Sequence, residues 1–405
     1  MFTNLLAAAV LAFATSTHGA LFTDPALLPP GKTYAYVIVG SGPGGSTVAA
    51  RLSEDPTVNV LVIEAGPTGK DALEIEVPAL APSIQTGSPP LSPALLSGQK
   101  WMFWVRCPRD DYDKIANITG DDGWSWNFNV AILGKERLVS PIDGHDTTGQ
   151  VDPAIHGTQG AINITVPNSR FPTDGPIINA AQEIGGDFQL IEDYNSGDPL
   201  GLGMRLRYAE TWLQGANGNG IRNDAATAYL APALSRPNLD VLVETQVTKV
   251  IQTGTNGSKP MFRGVEFAQS RLFTRGPAYA CFAAARYVMN ATEEVVLAAG
   301  SINTPQLLML SGIGPSSQLS LLGIPTIVDL RDVGQHLADQ PVITMTYNAK
   351  NRTDDVIANL ARNETYLYES IHEWETRRRG VMTNAANNQL AFFRLPSNDS
   401  IFESP

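Results

Sequence analysis

Between residues 40 and 45 the chain reads Gly-Ser-Gly-Pro-Gly-Gly, a G-x-G-x-x-G spacing, and twenty-four positions past the first glycine stands Glu64. Residues of these types at this spacing can hold an anion. Gly40 permits a tight turn, Gly42 lets the backbone come up against a diphosphate, and Gly45 allows a helix to pack closely on a strand. The diphosphate then faces the free N–H groups at a helix start, which together carry roughly half a positive charge. A carboxylate at position 64 accepts from ribose hydroxyls and repels a 2′-phosphate. NADP is therefore disfavoured, and FAD or NAD is left.

Such a loop works only between a strand and a helix. Tyr36–Val39 is a short β-branched run that reads as a buried parallel strand, Ser46–Ser53 has helical composition, and Val58–Ile63 reads as the next strand. Together they form one βαβ unit. Further strands are expected over 239–243, 247–251 and 294–298, with a helix beginning near Thr304 and reaching Leu310. Residues 81–98, rich in Pro, Ser and Gly, read as loop, and 143–160 as turn-rich. From Gln340 onward no closing element is evident.

Two longer matches separate FAD from NAD. Val60–Gly66 reads VLVIEAG, and 295–314 reads VVLAAGSINTPQLLMLSGIG. Both resemble the glucose–methanol–choline (GMC) oxidoreductases. Segments 110–126, 226–242, 244–251 and 393–402 are similar to the aryl-alcohol oxidases and their fungal relatives within that family. The resemblance implies an α/β fold: a Rossmann-type FAD-binding domain with an incomplete, largely antiparallel-sheet substrate domain. It implies an FAD-binding region over 33–330 and the start of a substrate domain over 331–405. It places Ala299 and Gly300 beside the flavin and Val247 beside the adenine. The implied activity is oxidation of CH–OH groups by hydride transfer to flavin N5, with a small-molecule alcohol as donor and O2 or another acceptor.

Three features depart from the family. Its Arg-Gly and Leu-Gly-Gly-Ser-Ser segment, which cradles the flavin, has no match in Pro82–Gln99. Val333–Gln340 is similar to V-G-x-N-L-x-D-H, but His336 stands for the Asn and Gln340 for the His. The family's two catalytic positions, a His and a His or Asn, lie in a C-terminal region without a counterpart here. The chain is thus expected to be truncated within the substrate domain, and no catalytic residue is assigned. His145, His156 and His336 are read as structural. An alternative reading is a secreted, non-catalytic glycoprotein remnant with weak or no flavin binding. Segment 271–287 also fits the family poorly.

The bulk numbers agree with a secreted enzyme. With 28 basic and 40 acidic residues the net charge is −12, which repels nucleic acid and anionic membrane. The ten-residue apolar run Leu5–Ala14 is too short to span a bilayer and is followed by small and polar residues. It reads as a signal peptide over 1–20, cleaved after Gly19 or Ala20. Asn117, Asn163, Asn256, Asn290, Asn351, Asn363 and Asn398 each open an N-x-S/T sequon. Cys107 and Cys281 either pair or stay free, and no spacing suggests a metal site.

Overall fold

A computed structural model describes residues 19–69, 72–80, 103–133, 135–203, 213–214, 220–269, 285–338, 343, 345, 356–385 and 389–394. Its centre is a seven-stranded sheet in the order Leu21–Phe22, Leu239–Leu242, Val60–Ile63, Tyr34–Val39, Arg286–Leu297, Lys259–Gln269, Thr245–Asn256. The first five are parallel neighbours, and the last three form an antiparallel meander. One strand joins the two regimes. Residues 264–268 pair antiparallel with 286–290, whereas residues 291–297 of the same strand run parallel to Tyr34–Val39. The handover carries a register irregularity between Ala291 and Glu294.

The parallel strands read as unbroken apolar runs because both faces of the sheet are covered. Side chains alternate with the period of two that a strand imposes. Val37, Val39, Leu61 and Ile63 pack on one side with Leu242, Val247, Phe267 and Leu307. Ile38, Val60 and Val62 pack on the other with Ala49, Ala50, Leu230, Ala233 and Val241. The helix Pro43–Leu52 covers the second face, and Gly300–Leu310 contributes Leu307 to the first.

Most expected elements are present with shifted bounds. The helix starts at Pro43, earlier than composition alone suggested, because proline is favoured at the first helical position. The second helix starts at Gly300, not Thr304. The strand expected over 294–298 begins at Arg286, where meander pairing extends it.

A second lobe stands beside the sheet. It is built from short pieces: the parallel pair Glu136–Leu138 and Ile162–Ile164, and a small sheet of Leu190–Ile191, Gly201–Gly203 and Ala391–Phe392. Its chain therefore comes from both sides of residue 330. Helices Val356–Arg362 and Glu364–Arg377, for which no expectation had been formed, pack with Leu73, Val77, Leu80, Ile221 and Met382. Asn363 caps the longer one by accepting from the Tyr366 N–H at 3.1 Å. Trp374 packs with Val77 and Met382 and donates to Gly220 O at 2.7 Å.

Candidate functional site

Strands that run parallel bring their C-terminal ends to one edge of the sheet, and ligands of open α/β sheets bind outside that edge. Here the edge gathers Gly40 after Val39, Glu64 after Ile63, and Ala298–Gly300 after Leu297. Backbone hydrogen bonds tie them together. Gly40 N–H donates to Ile63 O at 2.8 Å, Ala298 N–H to Val39 O at 2.8 Å, and Glu64 N–H to Leu242 O at 2.8 Å.

The four glycines of the loop differ in what surrounds them. Gly40 has φ +97°, and a Cβ there would lie 2.5 Å from Ala298 O. A Cβ on Gly45 would lie 1.9 Å from Gly40 O, so the helix meets its own loop at that point. Around Gly42 and Gly44 a Cβ would meet nothing within 4 Å. Two glycines are thus required by packing, and two leave open backbone at the helix start. Gly42 is the N-cap and no side chain caps the helix. The open amides are the groups a diphosphate would engage, so the loop fits an adenine dinucleotide.

Glu64 sits against the same loop. Its Oε2 accepts from Ser41 N–H at 2.7 Å and from Ser41 Oγ–H at 2.9 Å, and its Oε1 accepts from Gly66 N–H at 2.8 Å. The carboxylate is held between the glycine loop and its own strand end, half-buried, with a lone pair on Oε1 left for a ribose. Ser46, fully buried, donates from its hydroxyl to Ser41 O at 2.6 Å and fixes the far side of the turn.

The other expected residues lie nearby in the chain of contacts. Ala299 is the residue before helix Gly300–Leu310, and Gly300 has φ +89°, a conformation glycine adopts freely. Thr245 N–H donates to Glu64 O at 2.9 Å, and Val247, two residues on, is a buried core residue. Sequence reasoning had not singled out Ser41 or Glu244. Ser41 occupies a variable position of the motif. Glu244 has φ +54°, uncommon outside glycine, and its N–H donates to Gly66 O at 2.9 Å. No sequence signal marks such a strained residue.

The histidines lie elsewhere. His156 is buried between two carboxylates, 2.9 Å from Glu136 Oε1 through Nδ1 and 2.9 Å from Asp193 Oδ2 through Nε2. Arg106 completes the cluster at 2.5 Å from Glu136 Oε1. Burial would lower the His156 pKa, but the hydrogen bonds to Asp193 and Glu136 outweigh it and raise it. Burial likewise pushes Glu136 up, and its bonds with His156 and the charge of Arg106 bring it below the ordinary value. Such a locked ring is a structural tie. His145 is held by Asp143 at 2.6 Å, and His372 stacks on Tyr368 on an outer helix. His336 is exposed with φ +57°, a left-handed turn that Asn and His tolerate better than most residues. That shared tolerance accounts for His where the resemblance expects Asn. Gln340, His18 and segments 82–99 and 271–284 lie outside the described residues.

Residues 99–342 match the GMC oxidoreductase family. The dehydrogenase eriK of Hericium erinaceus is 35% identical over 416 residues, covering 97% of this chain and 66% of that protein. Pyranose dehydrogenase 3 of Leucoagaricus meleagris is 32% identical, covering 97% and 64%. Among solved structures, an FAD-dependent oxidoreductase from Chaetomium thermophilum superposes with a TM-score of 0.69 at 30% identity, over 87% of this chain and 60% of that one. A fungal aryl-alcohol oxidase superposes with a TM-score of 0.66 at 25% identity, over 89% and 61%. The chain spans about two thirds of the length of the curated relatives it matches. The chain belongs to the GMC oxidoreductase family, whose cofactor is FAD.

Proposed function

We propose that this protein acts in FAD-dependent oxidation of CH–OH groups, turning a primary alcohol, aromatic or allylic, into its carbonyl and passing electrons to O2 or another acceptor. The observation that carries the reading is the meeting of an uncapped helix start, open backbone at Gly42 and a carboxylate on Ser41 at one sheet edge. When bound, FAD supplies the hydride acceptor. The chain supplies the hold: Gly42 and Gly44 amides on the diphosphate, Glu64 on the ribose, Val247 by the adenine, and Ala299–Gly300 by the flavin. The small residues at 298–300 leave backbone that a flat ring can approach. In this reading the FAD-binding region over 33–330 also contributes strands to the second lobe, and 331–405 begin the substrate domain.

The aryl-alcohol preference rests on segment likeness and on the aryl-alcohol oxidase neighbour, and the pyranose dehydrogenases among the relatives make sugars the competing donors. Secretion is part of the same reading. Asn117, Asn256, Asn290 and Asn363 are exposed and open to glycans, whereas Asn163 is half-buried in a strand with its Oδ1 enclosed. No helix among the described residues is long and apolar enough to cross a membrane.

A second reading, a secreted glycoprotein with little or no flavin and no turnover, is favoured by the histidines: His145 and His156 are each committed to carboxylates. Absorbance separates the two. Purified chain that keeps flavin absorbance through gel filtration and bleaches with an aryl alcohol under nitrogen supports oxidation. Colourless chain that stays colourless with added FAD supports the second reading.

A further inference from the structure

The first described residues end against a buried carboxylate. Asp240, on strand Leu239–Leu242, has a side chain 3% exposed. Its Oδ2 accepts from Tyr34 Oη–H at 2.7 Å and from Lys32 Nζ at 2.7 Å. Its Oδ1 accepts from the backbone N–H of Ala20 at 3.3 Å. Backbone pairing holds Ala20 in that position. Val241 N–H donates to Ala20 O at 2.9 Å, Val243 N–H donates to Phe22 O at 2.9 Å, and Leu21 and Phe22 pair in register with Val241 and Leu242. Gly19 runs so close to the sheet that a Cβ would lie 2.1 Å from Leu239 O.

We propose that the leader is cut between Gly19 and Ala20, and that the new α-ammonium of Ala20 closes onto Asp240 as the third donor of a buried cage. The proposal rests on the secretion reading and adds the bond cut and the use made of the new end. The step is a hydrolysis by a signal peptidase: water adds across the peptide bond, Gly19 leaves as a carboxylate, and Ala20 keeps the nitrogen as an ammonium.

Two independent arguments select this bond over the next one. Leader cleavage takes small residues one and three positions before the cut. Cutting after Gly19 places Gly19 and Thr17 there, whereas cutting after Ala20 places His18 at the third position. Cutting after Ala20 would also remove the carbonyl that Val241 N–H uses and the nitrogen that faces Asp240 Oδ1. A charged donor improves on the peptide N–H it replaces, because an ammonium brings a full positive charge to the carboxylate where the peptide N–H brings only a partial one.

The pH dependence follows from the groups around the pair. Lys32 comes from the lead-in, Tyr34 from the neighbouring strand and Asp240 from its own strand, while the Arg236 guanidinium is turned away onto Ala50 O and Ser53 Oγ. An α-amino group has an unfolded pKa of about 7.7–8.0, and pairing raises it. The contribution is full below that unfolded value and is lost as pH rises through the raised folded one.

The test begins with N-terminal sequencing of the chain secreted from a eukaryotic host expressing residues 1–405. Ala20 as first residue is expected. A start at Leu21 or further on overturns the cut while leaving secretion standing, and a retained Met1 overturns both. The cage is then read from melts of the full chain beginning at Ala20, with its α-amino group free or acetylated. The free form is expected to melt about 2 °C higher near pH 6, with the gap closing as pH rises past the unfolded α-amino value of about 8. Asp240→Asn should abolish the gap. Equal melting of free and acetylated chains at every pH overturns the cage.

Discussion

At the scale of single residues, the glycine loop separates packing from binding. Gly45→Ala puts a methyl group 1.9 Å from Gly40 O, and backbone cannot yield as a flexible side chain can. Overpacking of this kind costs about 1–3 kcal/mol or more, so the variant should lower the Tm with or without flavin. Gly42→Ala meets nothing within 4 Å of its new Cβ. It should leave the Tm of the flavin-free chain unchanged and weaken FAD binding, because the methyl group stands where the diphosphate approaches. Equal effects of the two variants on flavin-free stability would contradict this division. Glu64→Ala removes the acceptor of two Ser41 donors and of the Gly66 N–H, and should loosen FAD by roughly 10- to 100-fold in a titration followed by flavin fluorescence, a loss of about 1.4–2.7 kcal/mol.

At the scale of elements, what could be read from the sequence was what is local. Strand, glycine turn, helix and strand follow one another within about thirty residues, and each carries its own composition signal. Glu64 could be placed because its distance from Gly40 is fixed by those elements. The Arg106–Glu136–His156–Asp193 cluster could not, since its members come from four segments and no periodicity links them. Helix Glu364–Arg377 went unread although Asn363 is a good N-cap, because apolar spacing in that stretch is weak without its partners Val77 and Met382. The cluster ties the second lobe together, so breaking it should be costly. Arg106→Met leaves the Glu136 carboxylate buried with one fewer counter-charge and should destabilise by about 3–5 kcal/mol in denaturant unfolding. Its pH window follows from the two shifts. His156, raised, contributes fully below its unfolded value of 6.5 and is lost as pH climbs through the folded one. Glu136, lowered, contributes above its unfolded value of 4.5 and is lost as pH falls through the folded one. The Tm gap between the native chain and His156→Gln should therefore be widest between these values and shrink on both sides in a series of buffered melts.

At the scale of the whole molecule, a net charge of −12 coexists with a run of exposed apolar side chains late in the chain. Leu321 is 86% exposed, Leu322 71% and Ile343 84%. Scattered exposed leucines are ordinary, but several within one stretch favour association with other apolar surface. The chain should bind an apolar dye at neutral pH. Leu321→Lys with Leu322→Lys should cut that dye signal without lowering the Tm, because neither side chain is packed in the core. An unchanged dye signal would mean that the apolar surface lies elsewhere.

Strand Arg286–Leu297 belongs to two pairings at once, and this makes it a ruler for the molecule. Its first half is clamped by the hairpin partner and its second half by the strand that leads into the glycine turn, so its residue count sets how far Ala298–Gly300 reach along the sheet edge. One residue added or lost between 294 and 297 would slide the small-residue turn by about 3.3 Å and flip the side chains beyond it to the opposite face. Tolerated insertions and deletions should therefore cluster outside this strand, in the hairpin tip at 257–258 for example, and evolution or a protein engineer can lengthen the meander there without disturbing the distance between the turn and the loop after Val39.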